Sequence, residues 1–321
     1  MIIGCFSSST PITALSPHRF ARARAFLAAH HVQLVCGALT GRRDGYRAGT
    51  IQARAAEINA LIHDDRLDVL MATIGGNNTN AVLPYLDYEY LNRHPKTVVG
   101  YSDVTALLLA VQTQAPACRV IYGPALVASL GEWSPLVEPT WENFLTIVSA
   151  ASHATVTVSA PEKWTDEACN WEQFEHPKKL RPNAWHYTQQ PVLSGRLMGG
   201  NLNTMYGLFK SQYYPELQAG DLLFIEDAEK DAATLEKNFV MLQLAGVFQR
   251  VAGVILGKHA LFDDAGTHRR PVDILLEVLN GQPLPIIYDY DSCHTVPMIS
   301  TPLGSHVQID AEQRTITFQD F

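Results

Sequence analysis

No run of the roughly 18–20 apolar residues that a membrane-spanning helix needs occurs anywhere in this 321-residue sequence, which excludes a helical membrane protein. Cysteine is scarce and odd in number: Cys5, Cys36, Cys118, Cys169 and Cys293 contain no CxxC pair. That argues for free thiols in a reducing compartment and against a disulfide framework. Zinc-ligand spacing and the HExxH pattern are missing among these cysteines and the 12 histidines, so no metal or other cofactor is expected. Basic residues are also short, 24 against 32 acidic ones, for a formal net charge of −8. Such a balance excludes binding to a long polyanion, whose affinity rests on Lys and Arg neutralising phosphates, but it leaves room for a single nucleotide. Low-complexity tracts and internal repeats are absent. The opening MIIGCF is apolar for only six residues with no basic segment before it, and it is expected to form a first strand rather than a signal peptide. A soluble, cytoplasmic protein is the resulting expectation.

What is present is an ordinary globular mixture, 47% hydrophobic and 17% charged, long enough for two cores. Up to about residue 150, apolar runs alternate with helical periodicity. Strands are expected at 1–6, 32–36, 67–74 and 97–100, and helices at 17–30, 51–63 and 104–112. This alternation implies parallel pairing in an open, flavodoxin-like α/β sheet with its site at the carboxyl ends of the strands. Beyond residue 150, period-two stretches at 155–159, 306–310 and 315–318 mix with strand and helix patterns, as expected of a smaller, β-rich mixed α/β domain. The boundaries expected are 1–150 for the first domain, 151–190 for a linker and loop, and 191–321 for the second. The stretch 160–190 is polar and weakly periodic, yet it carries Trp164, Trp171 and Trp185, which disfavours disorder.

The segment Lys96-Thr-Val-Val-Gly-Tyr-Ser-Asp-Val-Thr105 places Ser102 where a strand turns into a helix. Glycine two residues earlier permits a tight turn, and the helix start offers free N–H groups, the logic of a nucleophile elbow. The pattern departs from GxSxG at Val104, and taken alone Ser102 or Asp103 also fits a simple helix cap. Glu226 ends an otherwise apolar strand, with Asp227 beside it as an alternative acid. His294 lies in a loop next to Cys293, a rival nucleophile, although neighbours in an extended chain point apart. Two glycine-led loops, Gly75-Gly76-Asn77-Asn78 and Gly199-Gly200-Asn201, follow strands and could hold an anion or act as plain turns.

Together these segments resemble the serine peptidase family of LD-carboxypeptidases and microcin C immunity peptidases. The resemblance runs nearly end to end. It is carried by Tyr46-Arg-Ala-Gly-Thr-Ile51, Arg54-Ala-Ala-Glu57, Ile74-Gly-Gly-Asn-Asn-Thr-Asn80, Gly100-Tyr-Ser-Asp-Val-Thr105 and Gly199-Gly-Asn-Leu-Asn-Thr204, and then by Phe224-Ile-Glu-Asp227, Gly257-Lys-His-Ala-Leu-Phe262 and Cys293-His-Thr-Val-Pro-Met298. It implies a Ser102–Glu226–His294 triad, with the amides of Gly76 and Asp103 as oxyanion donors, no metal, and a homodimer. The stretch Lys163-Trp-Thr-Asp-Glu-Ala-Cys-Asn-Trp171 with Pro177-Lys-Lys-Leu180 looks like the loop of the immunity branch that stacks an aromatic ring on adenine. By the same resemblance Trp171, with Trp185 in reserve, and Asn201, Asn203 and Lys230 are expected to meet the substrate. The implied reaction is hydrolysis of a peptidyl- or aminoacyl-nucleotide amide. Removal of D-alanine from a murein tetrapeptide is the alternative, and a non-catalytic aminoacyl-nucleotide binder is the alternative from another class.

Overall fold

The computed structural model describes residues 1–321. Five short apolar runs become parallel strands: β1 (Ile2–Phe6), β2 (Gln33–Cys36), β3 (Val69–Ala72), β4 (Thr97–Gly100) and β5 (Arg119–Tyr122). Their order is 2-1-3-4-5, and the antiparallel pair Thr301–Pro302 closes the far edge on β5. This is the flavodoxin-like order, in which the crevice lies where the connections reverse, beside β1 and β3. β3 is buried along its whole length, β1 and β4 at all but their first residue, so these strands read as continuous apolar runs rather than alternations.

The second sheet has eight strands. In chain order after β5 come β6 (Val156–Ser159), the small pair β7 (Lys163–Trp164) and β8 (Arg181–Pro182), β9 (His186–Tyr187), β10 (Val192–Asn201), β11 (Leu222–Glu226), β12 (Gly253–Gly257) and β13 (Ile286–Tyr290). The segment Thr301–Pro302 is β14, followed by β15 (His306–Asp310) and β16 (Thr315–Gln319). Sheet order is 6-16-15-10-11-12-13-9, parallel from β10 to β13 and antiparallel elsewhere, while β7 and β8 pair separately. Both fold expectations hold: a parallel first sheet and a mixed second one. Residues 151–190, read from sequence as a linker, supply β6 and β9 to the edges of the second sheet.

The expected loop at Gly199-Gly200-Asn201 is instead the end of β10, a correction with a steric cause. Gly200 has φ +148, and a Cβ there would lie 2.6 Å from Thr105 Cγ2. The bare backbone lets the second sheet press on the helix Thr105–Gln114 of the first, and Asn201 N–H donates to Thr105 Oγ1 at 3.0 Å. Tyr122, ending β5, packs edge-on against Phe224 of β11 with ring centroids 5.1 Å apart. The carboxyl ends of both sheets therefore meet.

Candidate active site

At this meeting lies a cavity of about 380 Å³, bordered by Gly75, Gly76, Ser102, Asn203, Lys230 and His294 among others. Ser102 follows β4 in a single 3-10 turn, Ser102–Val104, before the helix Thr105–Gln114. Its φ of +60 is the left-handed conformation that costs a non-glycine residue energy and that raises a side chain off a sharp turn. No side chain caps the helix, so the simple capping role for Ser102 or Asp103 is not what the turn serves. Val104, the departure from GxSxG, fits because position 100 is bare: a Cβ on Gly100 would approach Val104 Cγ1 to 2.7 Å.

The Asp103 carboxylate works backwards. Its Oδ2 accepts from Asn78 N–H at 3.0 Å, Thr79 N–H at 2.9 Å and Thr79 Oγ1 at 2.8 Å. Those bonds hold the loop after β3 against Ser102. Ser9 Oγ, after β1, accepts from Asn77 N–H at 3.1 Å and fixes the same loop from the other side. The Arg54-Ala-Ala-Glu57 motif has its use here. Buried Arg54 donates to Asn78 Oδ1 at 2.7 Å and to the Ser8 carbonyl, and Glu57 accepts from Ser7 N–H and Leu39 N–H, both at 2.7 Å. Gly76 has φ +149, and a Cβ there would sit 2.2 Å from Ser9 Oγ. The amides of Gly76 and Asp103 are spent on no turn or capping bond, whereas Ser102 N–H donates to Tyr122 Oη at 3.1 Å.

A side chain at Gly75 would place its Cβ 2.9 Å from Ser102 Cβ and 3.0 Å from the Asp103 nitrogen. Gly75→Ala should therefore displace the serine while leaving the fold intact. A drop in kcat of about 100-fold is expected, the scale of an ångström misplacement, with the melting temperature little changed. Wild-type kcat in the folded variant would contradict this placement.

His294 Nδ1–H donates to Glu226 Oε2, 2.7 Å away. Glu226 is fully buried; its Oε1 accepts from Tyr122 Oη and from Asn201 Nδ2, the latter at 2.9 Å. Burial opposes charge on this carboxylate, but His294, Tyr122 and Asn201 outweigh it and hold its pKa below the usual value. Burial likewise disfavours a charged His294, yet the charge and hydrogen bond of Glu226, helped by Asp227 and Glu229, raise its pKa. The opposite shifts are what an ion pair in a dry site produces. With Nδ1 engaged, His294 Nε2 and Ser102 Oγ border the same cavity without protein hydrogen bonds.

Asp227, the alternative acid, makes no hydrogen bond to His294. It accepts from Asn201 Nδ2 at 3.3 Å, Asn203 N–H at 3.1 Å and Ala228 N–H at 3.0 Å, and burial together with Glu226 pushes it up to about 6. Cys293, the rival nucleophile, is 1% exposed and bonds to Thr295 Oγ1 at 3.1 Å, and burial pushes its thiol up to about 12. A neutral buried thiol is inert.

The substrate candidates separate. Asn203 and Lys230 border the cavity, Asn203 fastened through its backbone and Lys230 donating to the Ala228 carbonyl at 3.1 Å. Asn201 also borders it, but its amide is committed to Glu226, Asp227 and Thr204. Trp171 borders this cavity and a neighbouring one of about 170 Å³, with Arg19 over its ring at 4.1 Å. Trp185 must be corrected. It is 5% exposed, packs on Tyr290 and donates Nε1–H to Asp291 Oδ2 at 2.7 Å, away from either cavity. Asp291 also accepts from Asn183 Nδ2 and pairs with buried Lys258 at 2.5 Å, which anchors the loop bearing His294. Stranding that carboxylate by removing Lys258 would cost about 3–5 kcal/mol.

Tyr122 escaped the sequence reading. It links the serine turn to Glu226, and its only signal was the four-residue run Arg119–Tyr122, too short to show periodicity.

Known proteins of similar sequence and structure cover the chain nearly end to end. A putative carboxypeptidase of Vibrio cholerae is 48% identical over 318 residues, covering 99% of this chain and 95% of that protein. The microcin C7 self-immunity protein MccF of Escherichia coli is 44% identical over 320 residues, 99% of this chain and 93% of MccF. The structure of wild-type MccF without ligand superposes with a TM-score of 0.97, covering 100% of this chain and 96% of MccF. MccF has also been solved with aspartyl sulfamoyl adenosine and with glutamyl sulfamoyl guanosine, each at a TM-score of 0.96. Residues 3–123 match the LD-carboxypeptidase N-terminal domain and residues 194–309 the LD-carboxypeptidase C-terminal domain, and the chain belongs to that family of peptidases.

Proposed function

We propose that the chain hydrolyses the amide joining an aminoacyl or peptidyl group to a modified nucleotide, with Ser102 as nucleophile, His294 as general base and Glu226 as the acid that orients it. The observation that carries this reading is the 2.7 Å Glu226–His294 contact opening on a cavity that also holds the left-handed Ser102. Ser102 Oγ attacks the acyl carbon as His294 Nε2 takes its proton, and the amides of Asp103 and Gly76 receive the oxyanion. His294 then returns the proton to the leaving nitrogen, and a water molecule repeats the sequence on the acyl-enzyme. Because Ser102 N–H is committed to Tyr122, the amide of the following residue is the better oxyanion donor.

Substrate class follows from the cavity and the relatives. Asn203 and Lys230 offer an amide and a cation for the acyl and phosphate-like parts. Trp171 offers a ring at the cavity edge, and stacking accepts any base. MccF, solved with both an adenosine and a guanosine analogue, fits such base-tolerant recognition. Trp171→Ala should lower kcat/KM for nucleotide-linked aspartamides by about 5- to 150-fold, from the energy of one stacked base. A base-free aspartamide should be processed as before. Equal losses on both substrates would remove stacking from the account.

The carboxypeptidase relative at 48% identity favours a second reading, murein tetrapeptide LD-carboxypeptidase activity. Assaying aspartyl sulfamoyl adenosine beside a murein tetrapeptide decides between them. Cleavage of the nucleotide conjugate alone upholds the first reading, cleavage of the tetrapeptide alone the second, and binding without single-turnover cleavage would leave only a sequestering protein.

A further inference from the structure

The loop between β7 and β8 carries a second cluster of chemical groups outside the cavity. Glu167, Cys169 and His176 present one ligand atom each, all within 4.8 Å of one another. We propose that these three side chains form a binding site for a thiophilic divalent metal ion of the Zn²⁺ class, which clamps the loop that carries Trp171.

The loop's own sequence builds the site. Trp164 and Arg181 pair across β7 and β8 and close the base of an irregular stretch. Inside it, Asn170 Oδ1 accepts from Glu172 N–H at 2.9 Å and Gln173 N–H at 3.2 Å, turning the chain so that His176 returns to Cys169. Glu167 Oε2 accepts from Lys179 N–H at 2.6 Å, which ties the outgoing strand back to the incoming one.

Orientation supplies the second argument. His176 Nδ1 lies 3.1 Å from the Pro177 carbonyl, and a carbonyl only accepts. Nδ1 must therefore carry the proton, and Nε2 is left as a free lone pair. An imidazole held by a backbone carbonyl on one nitrogen and open on the other is how metal-binding histidines are usually prepared, and a carboxylate held through one oxygen is the matching arrangement for Glu167.

Donor chemistry names the ion. One thiolate, one imidazole and one carboxylate suit Zn²⁺ or Co²⁺, whereas Mg²⁺ and Ca²⁺ require oxygen donors throughout. Bonds of about 2.0–2.3 Å in a tetrahedral site separate the donors by about 3.3–3.8 Å, so these side chains need to close by only about an ångström. Burial and neighbouring Glu167 raise the Cys169 thiol, and a bound metal overrides this by replacing its proton. Three protein donors leave a fourth position for water.

The consequence falls on Trp171, which lies between Cys169 and His176. Its carbonyl accepts from Arg22 at 2.7 Å, and Glu172 accepts from His18 and Arg19 N–H groups at the start of the helix Pro17–Ala29. One side of the loop is thus fastened to that helix; a metal would fasten the other.

Binding is tested on the full-length protein with Co²⁺ and Zn²⁺ as probes. Co²⁺ should give a thiolate-to-metal charge-transfer band in the near ultraviolet, saturating at one ion per chain and absent in Cys169→Ser. His176→Ala and Glu167→Gln should each weaken Zn²⁺ by about 100-fold or more, beyond the 10- to 100-fold typical of losing only an outer partner. His63→Ala, at the exposed contact with Asp87, should leave affinity unchanged. Zn²⁺ should also slow tryptic cleavage after Lys178 and Lys179 in the wild type but not in Cys169→Ser. No thiolate band, equal Zn²⁺ affinity across the variants, or binding without slower cleavage would each overturn the proposal. These readouts involve no substrate, so they stand apart from the reaction assigned to the cavity.

Discussion

Ser102→Ala and His294→Ala should each lower kcat by about 10⁶, and the double variant should be scarcely worse than either, as for serine enzymes whose groups act in one step. The geometry motivates this: one base, fixed by one buried carboxylate, opens on the same cavity as the serine. Removing the nucleophile leaves His294 nothing to deprotonate, and removing His294 leaves Ser102 a weakly nucleophilic alcohol. Residual turnover should remain about 10³–10⁴ above the uncatalysed rate, because the amides of Gly76 and Asp103 and the binding surface are untouched. Measuring kcat for the two single variants and the double variant on aspartyl sulfamoyl adenosine decides the matter. Losses that multiply would mean two independent roles. Retained turnover in Ser102→Ala with complete loss in Cys293→Ala would move the nucleophile to the thiol, against its burial and its raised pKa.

Much of the scaffold was legible because parallel strands buried on both faces leave an unambiguous trace. Thr97–Gly100 was read to the residue, and the helix Ile51–Ile62 to within one. The helix Ala232–Leu244 stops where it does because Gly246, at φ +72, ends it. Arg119–Tyr122 escaped because four residues carry no period, and with it went Tyr122, the hydroxyl that couples both sheets. The glycines of β10 were misread as a turn because their purpose is tertiary: a close approach to Thr105 and Phe224 is invisible along the chain. Trp185 shows the same limit. Three tryptophans in one polar stretch advertise function, but only the fold separates Trp171 at the cavity from Trp185, which holds Asp291 in the core.

Glu226→Gln should lower kcat by about 10⁴, on the pattern of a triad acid replaced by its amide, and it should also move the acidic limb of the pH profile. The sign follows from the forces on His294. Burial alone would depress its pKa below the ordinary 6.5, and the Glu226 carboxylate is the main reason that it lies above. Asp227 and Glu229 add to the same field, while His259, which burial drives down to about 4, stays neutral and contributes no charge at assay pH. Since His294 must be neutral to accept the Ser102 proton, wild-type kcat/KM should fall as pH drops through this raised pKa, with the limb of a single group. Gln at 226 keeps the shape but removes the charge, so burial prevails and the limb moves to lower pH. Asp227→Asn should shift it in the same direction by less, because Asp227 acts at longer range and itself titrates near 6. Profiles for the wild type and both variants on one substrate test the assignment. A limb unmoved in Glu226→Gln would show that the buried carboxylate does not set the protonation of the base.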